Sequence, residues 1–354
     1  ESKTIDLSGA EISASGDFPA IRISNSSLST IDVTIKNTKL YSLSSTNYPA
    51  IICENQNLVL DEGFQSSIFT RISTSIIKIT GGSLKIQNSG NDTSKLPMFS
   101  SGNTSSDQGL ITLINSDLYI TAAQLASCHA SESSPIFVKA DDNKTHSVNI
   151  SNLYATSNTG KNGGVIYIEG TKSYPVNVTI NGNKSDAKIG FSNNTASLSG
   201  GAIYAKNAVI NLNTYARFAY NISNGTEKNN GGGAIYLDNC KLGSTDESPT
   251  STESSIFYQN KAKNNGGAIF YINGDDADST LFNAMFLLNE AKNGGAVAID
   301  ANSTVVITST TFGQEANSSY NNTATNGCDI FLNETPSGYS DSKVTLQDTK
   351  LYDM

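Results

Sequence analysis

The sequence contains no tryptophan and little positive charge. Arginine occurs only at Arg22, Arg71 and Arg217, and the formal net charge is -9 with a sequence pI of about 4.8. Such a chain has no basic face that could neutralise phosphates, so we expect no nucleic acid among its partners. Its apolar runs fall far short of the roughly 20 residues that span a bilayer, so no transmembrane segment is expected in this chain.

Charged residues of both signs are scarce, and so are helical patterns. Only 16% of the 354 residues are charged and 37% are hydrophobic, so serine, threonine, asparagine and glycine must keep the chain soluble. Short alternating runs of isoleucine, valine, leucine and tyrosine recur, and hardly any stretch has a helical period. This pattern predicts an all-β protein of the extracellular type. The sequence opens at Glu1 without signal-peptide features, which is typical of a mature or excised ectodomain.

Cysteine is rare and widely spaced. Cys53, Cys128, Cys240 and Cys328 form no CxxC pair and no cysteine–histidine cluster, so we expect no metal and no other cofactor. If coils of about 30 residues stack about 4.8 Å apart, cysteines adjacent in this series lie roughly two to four coils apart, beyond the reach of a disulfide. We predict mostly unpaired, buried thiols. A bridge between two chains is the alternative.

A glycine pair followed by alanine or valine, and then by isoleucine or valine, recurs in the second half of the chain. The pairs are Gly163-Gly164, Gly200-Gly201, Gly232-Gly233, Gly266-Gly267 and Gly294-Gly295. Their first glycines stand 37, 32, 34 and 28 residues apart, and a degenerate copy runs from Asn326 to Phe331. Self-similarity at this period predicts a solenoid in which each pair marks the same corner of a stacked coil.

A second element, Phe-x-x-Asn, precedes the glycine pairs. Its residues are Phe191 with Asn194, Phe218 with Asn221, Phe257 with Asn260, and Phe286 with Asn289. In stacked coils the same residue type meets itself at every turn. Asparagine side chains can then form a hydrogen-bonded ladder, and phenylalanine rings can fill the interior beside it. Glycine suits a corner because it reaches positive φ and lets one coil approach the next.

The first 145 residues lack the glycine pair but keep the strand pattern. Pro19-Ala20-Ile21 and Pro49-Ala50-Ile51 stand 30 residues apart in what we interpret as the same slot of the coil. Later candidates for this slot are Pro97-Met98-Phe99 and Pro135-Ile136-Phe137. We interpret these segments as degenerate versions of one coil.

The combination of GGA[ILV] with FxxN resembles the polymorphic outer-membrane protein repeat, best known from chlamydial surface adhesins of the autotransporter type. Both motifs occur together over about residues 150–335. The resemblance implies a right-handed parallel β-helix, similar to the pectin-lyase solenoid and displayed on a cell surface. It implies a role in adhesion or as a scaffold, and no catalytic residues.

We therefore predict one continuous β-helix over residues 1–354, with about 10–12 coils. Degenerate coils occupy 1–145, repeat coils 146–335 and terminal strands 336–354. No capping helix is visible at either end, and open strand edges invite pairing with another chain. A filament subunit assembled by end-to-end strand addition is therefore an alternative to a single rod.

Parallel β-helices also house polysaccharide lyases and hydrolases, which need clustered carboxylates. The best acidic clusters are Asp275-Asp276-Asp278 and Asp141-Asp142, and solvated loops explain both better because neither stands near an arginine. The two histidines, His129 and His146, lie in different coils without a nucleophile beside them. We predict a non-enzymatic protein, with the polysaccharide-processing enzyme as the alternative from another class.

Sequons of the form Asn-x-Ser/Thr mark possible N-glycosylation sites if the source is eukaryotic. They begin at Asn25, Asn91, Asn103, Asn143, Asn149, Asn177, Asn183, Asn193, Asn221, Asn224, Asn302, Asn317, Asn321 and Asn333. The composition inflates their number, and the excess over chance is modest. Asparagines inside Phe-x-x-Asn boxes are expected to point inward, out of reach of a transferase.

These features predict an extracellular protein, secreted or on the cell surface, with a structural or adhesive role. Its expected partner is a second copy of the chain, joined end to end, or a glycan or protein receptor outside the cell. A glycan-binding module is a further alternative, in which Tyr167, Tyr204 and Tyr236 would supply stacking platforms. A simple ladder of tyrosines explains these three residues better.

Overall fold

The strands of this chain stack as a parallel β-solenoid of about ten turns. The computed structural model describes residues 2–6, 11–12, 18–24, 30–41, 48–67, 72–90, 92–186, 189–213, 215–243, 254–274, 279–300, 302–315, 317–333 and 341–352. No α-helix occurs in these ranges. The predicted all-β class and parallel β-helix are confirmed.

Strands of successive turns form four parallel sheets within the described ranges. Sheet 1 contains Lys3–Asp6, Ile21–Ser24, Asp32–Lys36, Ile51–Leu60, Ile77–Ile86, Ile111–Ile120, Ile136–Lys139, Ser147–Ser151, Ile166–Glu169, Val176–Asn181, Ile203–Lys206, Ala208–Leu212, Ile235–Asp238, Lys241–Gly243, Ile269–Ile272, Val297–Ile299 and Ile330–Leu332. Sheet 2 contains Glu11–Ile12, Lys39–Tyr41, Gln65–Ser67, Met98–Ser100, Ala123–Ala126, Leu153–Thr156, Gly190–Ser192, Arg217–Ala219, Ser255–Tyr258, Ala284–Leu287, Thr311–Phe312 and Lys350–Leu351. Sheet 3 contains Asn103–Thr104, His129–Ala130, Thr159–Asn162, Thr195–Ser199, Ile222–Ser223, Lys261–Ala262, Glu290–Asn293 and Thr323–Asn326. Sheet 4 contains Thr280–Phe282, Thr304–Thr308 and Lys343–Gln347, and two short 3-10 helices span Thr93–Lys95 and Ser318–Tyr320.

One inward position of sheet 1 is isoleucine or valine in successive turns. The column consists of Ile21, Ile51, Ile77, Ile111, Ile136, Ile166, Ile203, Ile235, Ile269, Val297 and Ile330. Side chains alternate between the two faces of each strand, so Ile166–Glu169 buries both isoleucines and leaves Tyr167 and Glu169 half-buried on the outside. β-branched residues suit this column because each packs against its counterpart one turn away.

The register decides which early segments are equivalent. Ile21, Ile51 and Ile136 lie in the isoleucine column. The assignment of Pro97-Met98-Phe99 to that slot is wrong, because Phe99 pairs with Leu125 in sheet 2. A proline before a strand marks only where a strand begins, and sheet 2 has strand starts of its own.

A single apolar core runs through the inside of the coil from Ile23 to Phe312. It gathers the inward side chains of successive turns, and fully burying one such leucine, isoleucine or phenylalanine is worth about 2–3 kcal/mol. One turn cannot cover its own inward face, so the stability of each turn depends on its neighbours.

Candidate functional site

The glycine pairs form one column at the corner that precedes sheet 1. The N–H of Gly201 donates to the carbonyl oxygen of Gly232 at 3.0 Å, and that of Gly233 donates to Gly266 at 3.0 Å. Gly232 has a φ of +66°, and a Cβ on Gly233 would lie 2.0 Å from the carbonyl oxygen of Gly267. The same close approach links Gly164, Gly201, Gly233, Gly267, Gly295 and Cys328 in series. Glycine therefore sets how closely successive turns approach at this corner.

The phenylalanines of the Phe-x-x-Asn boxes stack inside the coil. The stack consists of Phe191, Phe218, Phe257 and Phe286 from the boxes and Phe312 from the next turn, all buried. Neighbouring ring centroids lie 4.7–5.1 Å apart with interplanar angles of 4–9°. This spacing matches the roughly 4.8 Å between paired strands, so the backbone repeat sets the ring stacking.

The asparagines form a buried ladder beside the rings. Its members are Asn158, Asn194, Asn221, Asn260, Asn289 and Asn322. Nδ2 of Asn221 donates to Oδ1 of Asn260 at 2.9 Å and to the carbonyl oxygen of Phe191 at 3.0 Å. The backbone N–H of Asn221 donates to the same Oδ1 of Asn260 at 3.0 Å. Each side chain thus satisfies backbone groups at a corner where the sheet hydrogen bonds stop.

Two members of the ladder lie outside the predicted boxes. Asn158 follows Ala155 instead of a phenylalanine, and Asn322 is separated from Phe312 by an insertion. The backbone N–H of Cys128 donates to Oδ1 of Asn158 at 3.0 Å at one end of the ladder. The spacing of Asn158 to the following Gly163-Gly164 pair is the sequence signal that could have revealed it.

The third residue of the Phe-x-x-Asn box has the left-handed conformation. Values of φ between +50° and +58° occur in the boxes at Asn193, Tyr220, Gln259 and Leu288, and at the equivalent place of three earlier turns at Ser101, Ser127 and Ser157. This conformation costs a residue with a side chain about 1–2 kcal/mol. The corner therefore keeps this geometry even where the sequence supplies leucine or tyrosine, because the ladder and the ring stack hold both sides of it.

The outward tyrosines of sheet 1 also stack. Phe137, Tyr167, Tyr204 and Tyr236 follow one another with centroids 4.6–5.1 Å apart and interplanar angles of 4–9°. Burial raises the pKa of all three tyrosine hydroxyls, and nearby carboxylates such as Glu169 raise it further. These rings present their faces to one another, which is the geometry of a ladder.

His146 lies buried between two carboxylates. Its Nε2 is 2.9 Å from Oδ1 of Asp142, and its Nδ1 is 3.3 Å from Oδ1 of Asp117 in the preceding turn. Burial acts to raise the pKa of Asp142, but the hydrogen bond and charge of His146 outweigh it, and the pKa is lowered. His129 is exposed, with Nδ1 2.7 Å from Oγ1 of Thr159. Within the described residues these contacts bring no serine or cysteine nucleophile to either ring.

Cys53, Cys128 and Cys240 are free and buried, and Cys328 is free and exposed. Burial raises the pKa of the Cys53 thiol to about 11 and those of Cys128 and Cys240 to about 12. A protonated, buried thiol is a poor nucleophile. Cys328 occupies the place of the second glycine in its turn, as the close approach of its carbonyl oxygen to Gly295 shows.

The predicted sequons differ in exposure. The asparagine is exposed at Asn143, Asn177, Asn193 and Asn317, and half-buried at Asn103, Asn149, Asn183, Asn224, Asn302, Asn321 and Asn333. Asn221 is 0% exposed within the ladder, so it is inaccessible to a transferase in the folded protein. The predicted positions Asn25, Asn91, Asp275, Asp276 and Asp278 lie outside the described residues.

Two segments of this column architecture match a family model, the Chlamydia polymorphic membrane protein repeat, at residues 191–206 and 254–271. Each segment contains one Phe-x-x-Asn box and the glycine pair that follows it. These two segments carry the polymorphic membrane protein repeat. The matched segments together with the parallel solenoid confirm the resemblance inferred from the motifs.

The polymorphic membrane protein repeat fits a β-helical scaffold of the type found in surface-associated membrane proteins. Comparison with curated proteins gave no match, and comparison with solved structures gave none. Among the described residues, no helix has the length and apolar character needed to cross a membrane.

Proposed function

We propose that this chain is a non-enzymatic scaffold on the outside of a cell, with a structural or adhesive role. The buried asparagine ladder is the observation that supports this proposal. The glycines, phenylalanines and asparagines that define the polymorphic membrane protein repeat are engaged in stacking one turn on the next, so the repeat builds a rod. Outward positions such as Tyr154, Gly190 and Arg217 do not repeat from turn to turn. Residues at these outward positions are therefore available to bind a partner molecule.

The dimensions of the rod support a display role. About ten turns at a spacing of about 4.8 Å give a length on the order of 50 Å. A stacked parallel solenoid offers proteases few flexible segments along its length. The proposed partners are a glycan or a protein receptor outside the cell, or a second copy of the chain.

The surface location is tested on intact source cells with an antibody raised against the purified chain. We expect labelling of unpermeabilised cells and loss of the label after mild treatment with an external protease. A cytoplasmic marker protein is the control and must stay protected. Labelling that requires permeabilisation contradicts the proposal.

The adhesive role is tested separately with beads coated with the folded chain, presented to a panel of cultured cells. Beads coated with the acid-unfolded chain are the matched control. Equal capture of both bead types would leave a structural role and remove the adhesive one.

A further inference from the structure

The outer face of sheet 2 has a gap in its row of side chains at Gly190. Tyr154 pairs directly with Gly190, and Arg217 lies beside Gly190 one turn further on. Gly190 has a φ of +133°, and a Cβ there would lie 2.5 Å from the carbonyl oxygen of Arg217. This outward position therefore requires glycine. The missing side chain leaves a depression between a tyrosine ring and a guanidinium group.

Residues around the gap line an open cavity of about 420 Å³, which we call the Gly190 groove. Its lining includes Tyr154, Arg217, Tyr220, Gln124 and Asn193. The volume is within the range of small-molecule sites. The groove thus combines two aromatic rings, one cation and two side-chain amides.

The aromatic walls of the groove are held in place. Tyr154 donates a hydrogen bond from Oη to the carboxylate of Asp186. Tyr220 packs edge to face against Tyr258, with ring centroids 5.4 Å apart, and is still 42% exposed. Unlike the stacked tyrosines of sheet 1, Tyr220 therefore keeps ring surface available to a ligand.

Arg217 supplies the positive charge of the groove. Its side chain is half-buried, and among the described residues its guanidinium makes no hydrogen bond and no ion pair. Arg22, by contrast, donates to Oε2 of Glu54 at 2.8 Å. The guanidinium presents N–H donors in a planar fork that matches the two oxygens of a carboxylate.

We propose that the Gly190 groove binds a saccharide that bears a carboxylate. The guanidinium of Arg217 takes the carboxylate, and the apolar C–H face of the sugar ring packs against Tyr220. The amides of Gln124 and Asn193 then hydrogen-bond to sugar hydroxyls. This inference rests on the adhesive role proposed above and names the chemical class to which the rod would adhere.

The test is isothermal titration calorimetry of the folded chain with four probes. Trigalacturonate and its methyl ester form one pair, and sialyllactose and lactose form the other. We expect at least one acidic sugar to bind and its neutral partner to bind at least tenfold more weakly. The two pairs distinguish a uronate from a sialate as the source of the carboxylate.

Variants locate the site. Arg217→Gln is expected to weaken binding at least tenfold, and Arg217→Lys less, because lysine keeps the charge and loses the fork. Tyr220→Asn removes the ring and keeps a residue that tolerates the left-handed conformation. Arg22→Gln and Tyr174→Ala are the matched controls, at exposed positions outside the groove, and are expected to bind as the natural chain does. Far-UV circular dichroism verifies that each variant is folded.

Several results would overturn the inference. They are the absence of binding for both acidic sugars at millimolar concentration, binding that survives Arg217→Gln, and an equal loss in Arg22→Gln. Equal or tighter binding of an acidic peptide such as triglutamate would assign the groove to a peptide carboxylate. None of these results bears on surface labelling or bead capture, so failure here is distinguishable from failure of the proposed function.

Discussion

Asn260 accepts at Oδ1 both the side-chain amide of Asn221, at 2.9 Å, and its backbone N–H, at 3.0 Å. Nδ2 of Asn260 in turn donates to Oδ1 of Asn289 at 3.0 Å and to the carbonyl oxygen of Phe218 at 2.9 Å. One fully buried side chain therefore satisfies groups in the turns before and after its own.

Replacing Asn260 by alanine is expected to destabilise the protein by about 3–5 kcal/mol. The change leaves the backbone N–H and the side-chain amide of Asn221 buried without the Oδ1 that accepts from both, at about 1–3 kcal/mol each, and opens a small cavity. Guanidinium unfolding followed by circular dichroism measures the loss. Asn229→Ala, at an exposed turn position, is the control and is expected to change little. Similar midpoints for the two variants would show that the ladder adds no stability.

Gly233→Ala is expected to destabilise the protein more than the addition of one methyl group usually does. The added Cβ would lie 2.0 Å from the Gly267 carbonyl oxygen, which belongs to the backbone and cannot move without shifting a turn. We expect a loss of about 3 kcal/mol or more. In Gly243→Ala the nearest atom among the described residues is Oδ1 of the Asn211 side chain at 3.0 Å, so its thermal midpoint is expected to stay close to that of the natural chain. Equal effects of the two alanines would contradict the close-approach argument.

Leu288→Asn is expected to stabilise the chain by about 1 kcal/mol. Leu288 has a φ of +58°, a conformation that asparagine tolerates better than leucine. Leu287→Asn in the neighbouring strand position is the control, and we expect it to give no gain because asparagine is a poor strand residue. The measurement is the denaturant midpoint, and a lower midpoint for Leu288→Asn would be the contrary result.

Asp61 is expected to make the protein sensitive to acid. Burial acts to raise its pKa, but hydrogen bonds from Ser89, Gln87 and Glu62 outweigh burial and lower the pKa. The folded pKa is thus below the unfolded value of about 3.9. The stabilisation from Asp61 is complete above that value and is lost as pH falls through the folded pKa.

Unfolding midpoints of the natural chain and Asp61→Asn at pH 6 and pH 3 test this dependence. The variant is expected to be less stable by about 1–3 kcal/mol at pH 6. The difference should shrink at pH 3. Asp107→Asn, at an exposed position, is the control. A difference that is the same at both pH values would mean that Asp61 does not titrate in this range.

Thiol reactivity should separate Cys328 from the other cysteines. At pH 7.5 we expect Ellman's reagent to modify one thiol rapidly in the folded protein and four in denaturant, because the thiols of Cys53, Cys128 and Cys240 are buried with raised pKa. Cys328→Ser should remove the rapid phase and any dimer seen on non-reducing gels. Rapid modification of two or more thiols in the folded chain would contradict the structure.

The columns of glycine, phenylalanine and asparagine were predictable because each motif consists of a few neighbouring residues. Glycine pairs and Phe-x-x-Asn boxes recur at the period of one turn, and stacking converts recurrence into contact. Asn158 and Asn322 were not predicted as ladder members, because the phenylalanine three residues earlier is replaced by Ala155 in one turn and displaced by an insertion in the other. The sequence pattern reveals this corner of the coil only where the phenylalanine and the asparagine keep their fixed spacing.

Contacts between dissimilar turns were not predictable. The approach of His146 to Asp117, and the position of Gly190 between Tyr154 and Arg217, depend on the strand register and on the lengths of the turns in between. A shift of one residue would turn an outward side chain inward. No repeat marks these positions, since outward side chains need not match their neighbours.

The asparagine ladder gives the solenoid a direction. Within the ladder every side-chain-to-side-chain hydrogen bond runs from an Nδ2 to the Oδ1 of the next asparagine toward higher residue numbers. At the far end Nδ2 of Asn322 donates to Oδ1 of Asp329 at 2.9 Å. An aspartate carboxylate accepts and does not donate, so it can close such a series but cannot stand within it. Duplication of a whole coil that brings its own asparagine would lengthen the molecule without altering this polarity, whereas a copied coil carrying aspartate at that corner would split the column in two.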